Sequence, residues 1–170
     1  GSPPSPGEGW ATARGPQGGL RGGAPRPHAA LEYPIGTWTA ALTCPVHDGP
    51  NVIDQSEYVA LWVGYDPLQE DSRVVESEQD WAQMGARRKE ETGLITCSVG
   101  AWSGDSTTRD RRIQVADILS AAEAAHRADI TLGGAVLDSN FGKTVSLFQQ
   151  ITAEGNEVLA TFTLYFRSRL

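Results

Sequence analysis

Apolar positions alternate most strictly near the carboxy terminus. There Val158, Ala160, Phe162, Leu164 and Phe166 fall on one face, and Leu159, Thr161, Thr163 and Tyr165 on the other. Upstream, within Lys143 to Ile151, Val145, Leu147 and Ile151 share a face, and a polar break from Thr152 to Glu157 carries a Gly155-Asn156 turn signal. A period of two in β-branched and aromatic residues predicts two strands joined as a hairpin. Just before it the period becomes helical: Val115, Ile118, Leu119, Ala122 and Ala125 form one stripe that ends near Ala128. Thr107 with Asp110 three residues on resembles a capping box, with Asp for the usual Glu. Alanines at 121, 122, 124 and 125 let this helix sit close to a sheet, so it is expected to cover the apolar face of the hairpin.

Earlier in the chain the pattern is more broken. Tyr58 to Tyr65 is a short, continuous apolar run bounded by turn formers and reads as a buried strand. Ile35 to Leu42 is apolar but of undecided type, and Cys44 to Pro50 reads as a turn-rich connection. Asp66 to Asp80 reads as an acidic surface loop. Trp81 to Glu91 and Leu94 to Trp102, separated by Thr92-Gly93, read as a second hairpin with Arg87-Arg88-Lys89-Glu90-Glu91 at its tip. Leu132-Gly133-Gly134 is a turn leading into the last hairpin. Two hairpins, an extra strand and one long helix give an α+β domain: a mainly antiparallel sheet of about five strands packed by the helix. Its expected core includes Trp62, Val115, Ile118, Leu119, Phe162 and Leu164.

Composition divides the chain at about residue 30. The first thirty residues hold eight glycines and six prolines, too little apolar surface to offset their own ordering entropy. Residues 1–30 therefore read as an extended arm that a partner orders, and residues 31–170 as the domain. The net charge of −7 argues against a broad basic face that grips nucleic acid, though not against a surface past which nucleic acid slides. Cys44 and Cys97 lack metal-ligand spacing and read as reduced thiols. No run of eighteen apolar residues exists, so no membrane partner is expected.

Candidate chemistry is sparse. Gly142-Lys143-Thr144 resembles the end of a phosphate loop, but Leu137 stands where the first glycine belongs and a strand, not a helix, follows. His28, His47 and His126 are far apart, and His126 has a structural reason to sit near a helix end. Glu76, Glu78 and Asp80 read as a solvated acidic group. No nucleophile is set beside a base, so no catalytic residue, metal or cofactor is expected.

The order of motifs carries more. A strand ends in Trp62-Val63-Gly64; Asp80-Trp81-Ala82-Gln83-Met84-Gly85 leads through Arg87 to Glu91 into another strand. Trp102-Ser103-Gly104-Asp105, an Arg-rich helix, Asp129-Ile130-Thr131-Leu132-Gly133-Gly134 and a hairpin with Glu154-Gly155 at its turn follow. From about residue 46 to 170 this series resembles the tail terminator (tail completion) proteins of long-tailed bacteriophages and related gene transfer particles. The Leu-Gly-Gly turn is its most specific part. Residues before Leu31 depart from the pattern, since relatives open with a helix there.

The resemblance implies an α+β subunit of a hexameric ring, assembled in the bacterial host cytoplasm and located in the virion neck. Such a ring caps the tail tube, joins it to the head through connector or stopper proteins, and passes DNA through its lumen without specific binding. Candidate subunit contacts are Arg87, Arg88, Lys89, Glu90, Arg109, Arg111, Arg112, Arg167 and Arg169. Another head–tail connector or tube ring component is the nearest alternative. A ligand-binding or enzyme domain using a cleft beside the helix ranks below these. A nucleic-acid module resting on Arg109, Arg111, Arg112 and the Arg87–Lys89 cluster also ranks below, because Asp105, Asp110 and Asp117 interleave with the helix arginines.

Overall fold

The computed structural model describes residues 27–50, 57–68, 75–82, 89–104, 107–153 and 155–169. Two helices and six strands form an α+β fold in the order α1 (Pro27–Ala41), β1 (Val46–Asp48), β2 (Glu57–Val63), β3 (Val75–Trp81), β4 (Lys89–Ser103), α2 (Thr108–Ala128), β5 (Asp138–Thr152) and β6 (Gly155–Arg169). Along the sheet the strands run β1-β2-β4-β6-β5, and β3 also pairs β4. All pairings are antiparallel except β1 with β2. Strands β2 and β3 lie end to end along one side of β4: Glu57–Val63 pair Ser103–Cys97, and Val75–Trp81 pair Ile95–Lys89.

The last hairpin forms as the alternation predicts, with Val158, Ala160, Phe162, Leu164 and Phe166 buried beneath the helices. The N-cap half of the expected capping box forms as well, while the Asp110 carboxylate accepts from the Thr107 hydroxyl and not from its backbone N–H. Thr107 is the N-cap of α2, its Oγ1 accepts from the Asp110 N–H at 3.4 Å, and its hydroxyl donates to Asp110 Oδ2 at 2.7 Å. Val115, Ile118 and Ala122 are buried against β4 and β6, with Leu119 and Ala125 half-buried beside them. Each aliphatic side chain so buried contributes about 1.5–3 kcal/mol of transfer free energy. The Leu-Gly-Gly turn bends through three left-handed residues, Leu132 (φ 49°), Gly133 (φ 68°) and Gly134 (φ 82°).

Four readings change. First, a helix, α1, spans the undecided apolar segment and begins at Pro27, inside the stretch assigned to the arm. Pro34 and Gly36 hide it in the sequence, since both are poor interior helix residues. Tertiary contact holds it: Trp38 is buried, donates its indole N–H to the Ala122 carbonyl at 3.1 Å, and meets Phe162 edge-on at 6.0 Å. Residues 1–26 lie outside the described residues. Second, Val46–Asp48 forms a short parallel strand inside the expected turn.

Third, β4 runs unbroken through Thr92-Gly93, so the second hairpin is β3 with β4 rather than a turn at 92–93. Gly93 is there for space. A Cβ on it would lie 2.5 Å from the Glu76 carbonyl oxygen and 2.6 Å from the Phe166 ring. Fourth, residues 75–80 of the expected acidic loop belong to strand β3, which has no apolar alternation and is held by backbone pairing to β4. Among the described residues the sheet therefore has six strands, against the five or so expected.

Candidate functional site

The two faces of the sheet are filled unequally. On the helix side, Trp38, Phe162, Phe141 and His126 form a chain of rings linking α1, β6, β5 and α2, with Phe141 stacked on Phe162 at 4.5 Å. On the far side the described residues form only a small buried cluster, Ala60, Trp62 and Leu159 with Tyr65 against it. Trp62 is thus buried on the side opposite α2.

Two buried polar residues continue the α2 stripe that the apolar pattern had shown only in part. Arg111 is 5% exposed, and its Nη1 donates to Gln114 Oε1 at 2.7 Å. His126 is also buried, with Nε2 2.8 Å from Ser139 Oγ. The Ser139 hydroxyl donates to the Ile130 carbonyl at 2.6 Å, so it accepts from the imidazole and the proton sits on Nε2. Burial holds the His126 pKa below its ordinary value, and the nearby carboxylates of Asp129 and Glu123 only partly oppose that. Burial likewise pushes the Cys97 thiol up to about 12 and raises that of Cys44. Both cysteines are free thiols.

The expected contact residues do not converge on one patch. Arg87 and Arg88 lie outside the described residues, in the β3–β4 connection. Lys89 opens β4 with its Nζ 5.4 Å from the centre of the Trp81 ring, and Glu90 pairs with Arg169 at 3.3 Å. Arg167 donates from Nε to Asp138 Oδ2 at 3.0 Å. Arg109 and Arg112 are exposed at the start of α2, whereas Arg111 is turned inward and is not part of that surface. Glu91, expected in the solvated tip, is 2% exposed; it accepts from Ser168 through Oε2, and its Oε1 has no partner.

Two shallow depressions flank the exposed Tyr165. One, of about 610 Å³, is lined by Asn140, Phe141, Gly142, Lys143, Thr144 and Thr163. The other, of about 510 Å³, is lined by Glu76, Ser77, Glu78, Thr92, Gly93 and Leu94. Gly142-Lys143-Thr144 is an irregularity in β5 where three residues face Thr163 alone, which returns Val145 to the same face as Phe141. Among the described residues no group of three or more His, Cys, Asp or Glu side chains could hold a metal, and no helix is long and apolar enough to cross a membrane.

Among the described residues, four exposed large apolar side chains fall together on a sheet edge. Val145, Leu147, Phe148 and Ile151 of β5 are 45%, 51%, 39% and 77% exposed. Val145, Leu147 and Ile151 point to the helix side, yet α2 does not reach over them, because it lies on β4 and β6. The expectation that α2 covers the whole hairpin holds for β6 and fails for the outer half of β5. A scan against protein-family models and a search of curated proteins each find no match. The class stands on the fold: an α+β protein with a mixed six-stranded sheet and both helices on one face.

Proposed function

We propose that this chain is a structural subunit of a ring in a virus particle. Within that class it is a tail terminator, the ring that caps the finished tail tube of a long-tailed phage or gene transfer particle and joins it to the head. The motif order from about residue 46 onward supports the family, and one surface feature supports assembly over ligand enclosure. That feature is the apolar side chains left exposed along an edge strand, where another chain could cover them. Its partners are copies of itself, the tail tube protein and connector or stopper proteins, with DNA passing through the lumen unheld.

Labelling the protein in its native particle and imaging by electron microscopy tests this reading. A six-membered ring at the head–tail joint is the expected result. Label along the tube or within the head connector moves the protein to another ring component, and absence of label from particles overturns the structural role.

A further inference from the structure

Strand β5 ends the sheet, and among the described residues its outer edge pairs with no strand. Its segment Val145-Ser146-Leu147-Phe148-Gln149-Gln150-Ile151 has no charge, no proline and no glycine, and apolar side chains are exposed on both faces. Edge strands left to water usually carry lysine, proline or a bulge that blocks pairing, and this seven-residue segment carries none. The opposite side of the sheet has a second open edge of equal length, β3, also paired on one side only among the described residues. It differs in character: Glu76, Glu78 and Asp80 point to one face, while Val75 and the 60% exposed Trp81 share the other.

We infer that the occupant of the β5 edge is a second copy of this chain, through its β3 edge, so that the sheet continues from subunit to subunit. Strand direction allows it. Strand β5 is antiparallel to β6, β6 to β4 and β4 to β3, so β5 and β3 run in opposite senses. A rotation about a ring axis roughly along the strands preserves those senses, and β5 meets the next β3 antiparallel. The register that keeps helix-side faces continuous sets Val145 opposite Trp81 of the partner subunit and Ile151 opposite Val75 of the partner subunit. On the other face Ser146 and Gln150 present hydrogen-bond donors to Asp80 and Glu76 of the partner subunit.

The alternatives among copies fit less well. Joining β3 to β3 sets carboxylates against carboxylates, which repel. Joining β5 to β5 closes a dimer and leaves both acidic edges open. The inference deepens the ring reading and rests on it for the head-to-tail sense. Main-chain hydrogen bonds supply the affinity and the alternating side chains the register.

The test is a disulfide between copies. Ser77→Cys and Gln149→Cys proteins, each in a Cys44→Ser background, are oxidised separately and mixed; both positions are exposed. A covalent dimer that appears only in the mixture, with a 77–149 disulfide in its peptide map, is expected. Dimers from Gln149→Cys alone, or none in a sample that sediments as an oligomer, overturn the contact; so does a protein that stays monomeric. A benzophenone on Gln149→Cys identifies the other occupants: capture of another β5, of residues 1–26 or of a foreign protein overturns it too. Native mass spectrometry of the oxidised double variant tests the ring separately. A closed hexamer supports both, whereas an open ladder keeps the contact and removes the ring. As an independent check, Ile151→Asp, which sets a carboxylate opposite Val75 of the partner subunit at a position 77% exposed in the free subunit, is expected to weaken self-association by about tenfold or more while leaving the melting temperature unchanged. Unchanged association counts against the contact.

Discussion

Phe162 is where both helices and the last hairpin meet. It is 2% exposed, stacked on Phe141 and touched edge-on by Trp38. Phe162→Asp loses those contacts and buries a carboxylate in the apolar core, costing about 3–5 kcal/mol for the charge alone. Domains are stable by about 5–15 kcal/mol, so the variant is expected not to fold. A soluble protein with an unchanged circular dichroism spectrum would contradict this placement. His126 gives a pH signature. Its pKa is lowered in the folded state, so below about pH 6.5 the unfolded chain binds the proton first. Stability is therefore expected to be level above that pH and to fall as pH drops through it. Urea midpoints across this window check the sign, and His126→Asn should flatten the slope.

At the scale of elements, α2 depends on a local start signal and α1 does not. Thr107→Ala removes the side chain that accepts from the Asp110 N–H. It should cost about 1 kcal/mol, or about 2–4 °C in melting temperature for a chain of this size, as calorimetry can show. Strand β3 shows the opposite case. Glu76, Glu78 and Asp80 look like loop residues because nothing in their side chains asks for a sheet, and the pairing that makes them a strand is supplied by β4. Gly93 misleads for a related reason. In sequence it signals a turn, but in the fold it makes room for the Phe166 ring.

For the whole molecule, the net charge of −7 and the inward turn of Arg111 leave Arg109 and Arg112 as a small basic spot at the start of α2. The protein is therefore expected to pass through a DNA column unretained at low salt. Retention that falls steeply with salt would instead point to several phosphate contacts and to a nucleic-acid module. The expected contact residues are spread over the β3–β4 hairpin, the α2 start and the end of β6. No single local segment announces an interface, and the edge of β5 becomes visible only once its neighbours are known.

Sequence by itself determined the α+β class, the cap and stripe of α2, the Leu-Gly-Gly turn and the final hairpin. Each of these is written in periodicity or in turn chemistry within a few residues of where it acts. Tertiary structure alone decided α1, β1 and β3, the burial of Arg111, His126 and Glu91, and the exposure of Val145, Leu147 and Ile151. Burial depends on what another part of the chain covers. An apolar alternation marks a face that favours a partner, but only the placement of α2 over β4 and β6 shows that α2 leaves the outer half of β5 uncovered.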